Sequence, residues 1–295
     1  MATVKTGMVL EGGGMRGMYT CGILDVLMEH RIYTGGMAGV SAGIAFGCNY
    51  KSHQPGRALR YNQRFARDKR YSGLRSLLMT GNYYNADFAY HKVPEHYDIF
   101  DGNAFADSPM ECYAVCFDVL TGETVYHRLD RVDYDTLEWI RASASMPVVA
   151  RPVEIGGHLL LDGGLGDSIP LQFMKDQGYA RNVVILTREY GYRKGPDHSL
   201  WMMKPFLRKY PKVVEALRQR HEHYNKQLQL VEFEERSGNA FVFRPLKPLD
   251  ISRTSHDHEE FDRVYQQGRK EATQRLDDLI KFLNKEDPVV PLSNE

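Results

Sequence analysis

Gly39-Val40-Ser41-Ala42-Gly43 is the stretch on which the reading of this chain turns. A serine with glycines two positions away on each side is the pattern of a sharp strand-to-helix turn. Such a turn exposes the serine hydroxyl, and a Cβ on either neighbour would block the passing backbone. The flanks agree with it. Gly35-Gly36-Met37-Ala38 reads as the end of a short buried strand, and Ile44, Ala45, Phe46 and Cys48 form the apolar face of a helix that begins just after Ser41. That helix points the positive end of its dipole at the serine oxygen. Ser41 is thus a candidate nucleophile, with Gly39 and Gly43 as supports. Alone the pattern is cheap, because ordinary glycine and serine usage places one in roughly one chain of this length in ten.

Corroboration comes from upstream. Residues 4–10 read as a strand that runs into Glu11-Gly12-Gly13-Gly14-Met15-Arg16-Gly17, and Ile23, Leu24, Val26 and Leu27 then mark a helix ending near His30. Gly12, Gly14 and Gly17 satisfy the dinucleotide-binding spacing, so a dinucleotide-binding oxidoreductase is one alternative. That fingerprint expects an acid about 20 residues further on, and there is no Asp or Glu from Arg31 through Arg67. A phosphate-binding P-loop fails too, since Met18-Tyr19 stand where Lys and Ser/Thr are needed. Three consecutive glycines at a helix N-terminus leave their N–H groups unobstructed, which is what holding the oxyanion of an acyl-transfer intermediate requires.

Further along, residues 51–103 are Tyr-rich and basic with turn signals, which suits a helical insertion over the site, a cap of about 51–105. Residues 110–117 and 123–129 read as strands, 134–143 as a helix stopped before Pro147, and 153–155 with 158–161 as a hairpin turned by Gly156-Gly157. The hairpin delivers Asp162-Gly163-Gly164 at a strand tip. A buried strand at 183–187, a helix at 206–231, a strand at 240–244 and a long amphipathic helix at 256–283 follow, with a frayed tail after Asp287. Alternating strands and helices imply an α/β fold: one three-layer α/β/α domain with a helical C-terminal extension.

Composition narrows the class. The chain has 295 residues, 42% hydrophobic and 26% charged, enough to bury a large core. Lys+Arg and Asp+Glu each number 38, so nothing overall points to nucleic acid. Cys21, Cys48, Cys112 and Cys116 show neither disulfide-framework nor zinc spacing, so free thiols in the cytoplasm are expected. No apolar run approaches ~18 residues and no leader pattern opens the chain, so neither a membrane span nor a signal peptide is expected.

Gly-Gly-Gly-x-Arg-Gly at 12–17, Gly-x-Ser-x-Gly at 39–43 and Asp-Gly-Gly at 162–164, in that order, resemble the patatin-like phospholipases. Arg141-Ala142-Ser143, Pro147, Pro152 and Ile169-Pro170 are similar to the same family, so the resemblance covers about residues 5–190, leaving 191–295 as an extension packed on the same domain. It implies a mostly parallel central sheet and a Ser-Asp dyad, Ser41 as nucleophile and Asp162 as base. It also implies hydrolysis of lipid acyl esters without a cofactor; no HExxH accompanies the His-x-His pairs at 221–223 and 256–258, so no metal is expected. Gly12, Gly13, Gly14, Arg16 and Gly17 form the expected oxyanion loop, with Arg16 anchoring the loop or an anionic group, and Gly163 and Gly164 support the acid. A free aspartate titrates near 3.9, so such a base needs a dry setting to raise it, which Leu159, Leu160 and Leu161 are placed to supply.

Rival readings stay open. His198, His221, His223, His256 and His258 all follow Asp162, as a histidine-containing triad would want. A catalytically idle lipid-binding or scaffold protein of the same fold would keep these motifs. Arg57, Arg60, Arg64 and Arg67 share one face of an amphipathic segment and suit anionic headgroups at a membrane surface, while Trp201-Met202-Met203-Lys204-Pro205-Phe206 suits a lipid-facing lip or a core stripe. Oligomeric state, headgroup and chain length are not legible.

Overall fold

The computed structural model describes residues 5–285, so the expected frayed tail after Asp287 lies outside the described residues. In chain order the elements are β1 (Thr6–Leu10), α1 (Met18–Glu29), β2 (Gly36–Val40), α2 (Ala42–Lys51), α3 (Arg57–Phe65), α4 (Leu74–Thr80), a wide helical stretch Phe88–Tyr97, and α5 (Gly102–Asp107). Then come β3 (Glu111–Asp118), β4 (Thr124–Arg128), α6 (Tyr134–Ser143), β5 (Val153–Ile155), β6 (His158–Asp162), α7 (Leu171–Asp176) and β7 (Arg181–Ile185). The chain continues through α8 (Leu200–Met203), α9 (Pro211–Arg236), β8 (Ala240–Phe243), α10 (His258–Gln274) and α11 (Leu276–Leu283).

Alternation on short apolar strands builds the sheet. Met8 and Leu10 of β1, Met37 of β2, and Val183 and Ile185 of β7 enter one core. Their neighbours Val9, Ala38 and Val184 enter another on the opposite face. Strands buried on both sides suit a parallel sheet covered by helices. The order is β5-β6-β3-β2-β1-β7-β8, with β4 also on β3. The β3-β2-β1-β7-β8 run is parallel, and β4, β5 and β6 are antiparallel. Helices α1, α2 and α10 pack on one face, and α7 and α9 on the other. Fusion of the C-terminal extension with the rest is intimate: β8 pairs with β7, and α10 crosses α1 where Gly22 and Gly268 let the two backbones meet.

Three local differences from the sequence reading have physical causes. The helix expected from 206 starts at Pro211, whose missing N–H and fixed φ favour the first helical position. The helix expected at 256–283 divides at Arg275, whose guanidinium turns in to the Val242 carbonyl (2.6 Å) and lies over the Phe241 ring (4.3 Å). The third concerns the basic face of α3. Arg57 is buried, donating to the Asp98 carbonyl (3.1 Å) and the Asn49 side chain (2.8 Å), so it is not at the surface. A desolvated guanidinium is tolerated only when so satisfied. Arg60 is exposed but paired with Asp98 (2.7 Å), and Arg64 donates to the Tyr97 carbonyl (2.8 Å), which leaves Arg67 at the end of a much reduced face.

Candidate active site

Ser41 sits between β2 and α2 with φ 56° and ψ −126°, a conformation a non-glycine residue rarely adopts. Holding it there costs about 1–3 kcal/mol, and the surroundings enforce it. Its N–H donates to the Ser143 hydroxyl (2.9 Å), which in turn donates to the Val115 carbonyl (2.6 Å). Close packing does the rest. A Cβ at Gly12 would lie 2.8 Å from both the Ser41 Cβ and the Val40 carbonyl, and one at Gly43 would lie 2.5 Å from the Leu10 carbonyl.

Register on β3 brings the acid to the serine. Val40 pairs with Val115, and Asp162 pairs with the next residue, Cys116, so β2 and β6 deliver their ends to successive positions of one strand. The end of α6 ties both: Ser143 holds the Ser41 N–H and the Ser145 carbonyl accepts from the Asp162 N–H (2.8 Å). Asp162 is buried and accepts from the Gly164 N–H (2.8 Å). Burial raises its pKa above the ordinary carboxylate value, opposed by the Ser41 hydroxyl, then Arg220, the Gly164 N–H and Arg253. The Ser41 hydroxyl thus stands within reach of the carboxyl.

The glycine loop completes the wall. Gly12, Gly13 and Gly14 line the same cavity as Ser41 and Asp162, and their N–H groups donate to no protein acceptor among the described residues. The next amide, Met15, is taken by the Arg253 carbonyl (3.1 Å). Arg16 lines the cavity as well. Gly17 is set back, packed under the Phe46 ring, and lines neither cavity at Ser41, so its contribution is to let α1 approach α2. Gly39 and Gly163 are likewise backbone-packing positions, while Gly164 reaches the cavity. No histidine lines either cavity at Ser41. His256 is held by Tyr83 and the Ala66 carbonyl, and His221 by the Arg218 carbonyl.

Two cavities meet at Ser41, sharing Gly14, Met146 and Arg253. One, of about 100 Å³, is apolar and roofed by residues 57–100, with Phe46, Tyr61, Tyr84, Tyr90, Val93 and Leu137 in its walls. The other, of about 280 Å³, is polar and reaches Asp162, Lys194, Arg220 and Tyr224. The arrangement sets an apolar chamber on one side of Ser41 and a charged one on the other. Sequence reasoning overlooked Lys194, Arg220 and Arg253, which are three among 38 basic residues with no spacing to mark them. Ser143 was visible as part of Arg141-Ala142-Ser143, but its role appears only through its two hydrogen bonds. No helix among the described residues is long and apolar enough to cross a membrane.

Comparison with known proteins adds lineage. Residues 8–174 match the family described as Patatin-like phospholipase, and residues 210–284 match a Domain of unknown function, DUF6363. The Escherichia coli (strain K12) protein described as "Uncharacterized protein YjjU" is 29% identical over 200 residues, 62% of this chain and 52% of that protein. "Lysophospholipase NTE1" of Yarrowia lipolytica is 29% identical over 185 residues, 58% of this chain and 12% of that protein. Its namesake in Debaryomyces hansenii is 25% identical over 298 residues, 94% of this chain and 18% of that protein. The chain therefore spans about half, or far less, of the length of these relatives. Among solved structures, VipD from Legionella pneumophila aligns with a TM-score of 0.45 at 13% identity, over 94% of this chain and 67% of that one.

Proposed function

The chain belongs to the patatin-like phospholipase family, and from that premise we propose that it is a serine acyl hydrolase cleaving lipid ester bonds, of the phospholipase A or lysophospholipase type. The observation that carries the reading is the meeting of a strained, exposed-turn serine with a buried carboxyl whose pKa is raised, in a cavity walled by free glycine amides. Similarity to proteins named lysophospholipase supports the substrate class.

In this mechanism the Ser41 hydroxyl attacks the ester carbonyl while Asp162 accepts its proton. The Gly12, Gly13 and Gly14 amides hold the oxyanion, each such donor being worth about 10²–10³ in rate. Asp162 then gives the proton to the departing alcohol, leaving an acyl-serine. Water, deprotonated by Asp162, attacks that ester, and the proton returns to Ser41 as the fatty acid leaves. No cofactor enters these steps. Contact with a lipid surface falls to Trp201, Met202 and Phe206, which are exposed beside the cavity-lining Met203, rather than to the α3 arginines.

A fluorophosphonate probe tests the assignment. The wild type is labelled and Ser41→Ala is not; equal labelling of both, or of neither, overturns the dyad.

A further inference from the structure

The polar cavity holds more positive charge than the proposed chemistry uses. Arg16, Lys194, Arg220 and Arg253 line it, and Arg188 stands close enough to repel Arg16 and Arg253. None of the five is ion-paired with a carboxylate among the described residues. Three acids share the wall, but each has partners of its own. Glu11 accepts from the Thr187 N–H (2.6 Å) and the Tyr224 hydroxyl (2.6 Å). Asp197 accepts from the Ser199 N–H (2.9 Å) and hydroxyl (2.6 Å). Asp162 is engaged by Gly164 and Ser41.

Arg16 is the sharpest sign. The residue is only 8% exposed, and its Nε–H is buried without an acceptor among the described residues. A buried guanidinium with an idle N–H is costly unless an anion supplies the missing partner. Burial, then repulsion from Arg188 and from Arg253, holds its pKa down to about 10, and the attraction of Glu11 does not outweigh either arginine. Burial followed by Arg220 likewise brings Lys194 down to about 7. The field here favours an incoming anion. It does not favour a quaternary ammonium, because the nearby aromatic faces already carry cations: Arg188 lies 4.4 Å from the centre of the Tyr192 ring and Lys194 lies 4.2 Å from that of Tyr224.

Resting on the acyl-hydrolase reading above, we infer that this cavity is a phosphate subsite, in which Arg16, Lys194, Arg220 and Arg253 hold the phosphate monoester of a monoacyl glycerol phosphate while its acyl chain enters the apolar cavity. A phosphate monoester carries about −1.5 to −2 charge near neutrality and three acceptor oxygens, matching several donors at once. Lys194, Arg220 and Arg253 all lie beyond the segment that matches the patatin-like family, so the selectivity resides in the C-terminal part of the chain.

Two measurements test it. Calorimetric titration of the full-length Ser41→Ala protein with inorganic phosphate reads the subsite without catalysis. Binding is expected, weakened about tenfold in a second protein that also carries Lys194→Met and retained with Lys194→Arg. Absence of binding, or equal binding by the Met and Arg forms, overturns the subsite. The second compares kcat/KM of the active protein on three lipids with one acyl chain: the glycerol phosphate monoester, its choline phosphodiester and the neutral monoacyl glycerol. A preference of about tenfold for the monoester over the neutral lipid, shrinking in Lys194→Met, is expected. The choline ester falls between. Equal rates on all three overturn the headgroup assignment. If phosphate binds but no lipid is cleaved, the hydrolase reading fails while the subsite stands, now as one for free phosphate.

Discussion

The two cavities at Ser41 are built by different parts of the chain and by different physics. The apolar one is roofed by segment 57–100, whose Phe65, Tyr71, Phe88 and Tyr97 rings pack edge-to-face and stacked, a wall fixed by shape. Charge defines the other, where cations from α9 and its flanking loops crowd the ends of β1 and β6, opposed first by burial and then by one another, with no ion-paired carboxylate among the described residues. Shape tolerates a range of chain lengths and charge discriminates between headgroups, so under the proposed reading acyl adaptability falls to one chamber and headgroup choice to the other. Ser41 stands where the two join, and Asp162 lines the charged one beside it.

Changes at that junction must fall on both chambers alike. Asp162→Asn removes the proposed proton acceptor and keeps the shape, and is expected to lower kcat by about 10⁴ on short and long esters equally. A loss confined to one class of ester would mean that Asp162 belongs to a chamber rather than to the chemistry. Ser143→Ala has the next largest effect. It strips the Ser41 N–H and the Val115 carbonyl of their buried partner, and such losses run to about 1–3 kcal/mol of stability. Loosening the turn should reduce kcat by about 10² with little change in KM. Ser143→Thr, which keeps the hydroxyl, should restore most of it. Were KM to rise with kcat intact, Ser143 would be a wall residue and not a positioning one.

How much of this was legible in sequence divides along the same line. The junction was: glycines at 12, 14, 39 and 43 are dictated by backbone contacts too close for any side chain, so the motif and the geometry are one constraint. The strand order was not, but the strands themselves were, because burial on both faces leaves an apolar run with little room for alternatives. The apolar chamber was visible only as a Tyr-rich insertion. Its basic helix misled, since periodicity places Arg57 with Arg60 and Arg64 and says nothing of Asp98, 41 residues away, whose carbonyl draws Arg57 inside. Least legible was the charged chamber. Lys194, Arg220 and Arg253 come from three separate segments, and their convergence is a tertiary fact with no local spacing to announce it.

Filling one chamber should leave the other untouched. Ala89 lies on the stretch Phe88–Tyr97 and lines the apolar cavity, so Ala89→Phe takes up space where the chain would lie. A lost methylene-sized contact is worth about 1–3 kcal/mol, so the ratio of long-chain to short-chain ester kcat/KM should fall about tenfold. The same substitution should leave phosphate binding by Ser41→Ala as it was. If phosphate binding weakened too, the two cavities would be one deformable space and the division of labour would fail.

The smallest expected effect is also the most direct link between charge and chemistry. In the proposed mechanism Asp162 must be ionised to accept a proton, so kcat/KM on a neutral short ester is expected to rise with pH through its pKa. Burial places that limb above the ordinary aspartate range, while Arg253 works in the opposite direction, stabilising the carboxylate. Arg253→Met removes the cation and keeps the backbone carbonyl that holds the Met15 amide. The carboxylate loses that support, its pKa rises further, and the acid limb moves to higher pH. Arg220 stays and exerts the stronger of the two attractions, so the displacement is modest. A limb moving to lower pH would mean that the group titrating in catalysis is not a carboxylate stabilised by these cations, and the charged chamber would then act on substrate alone.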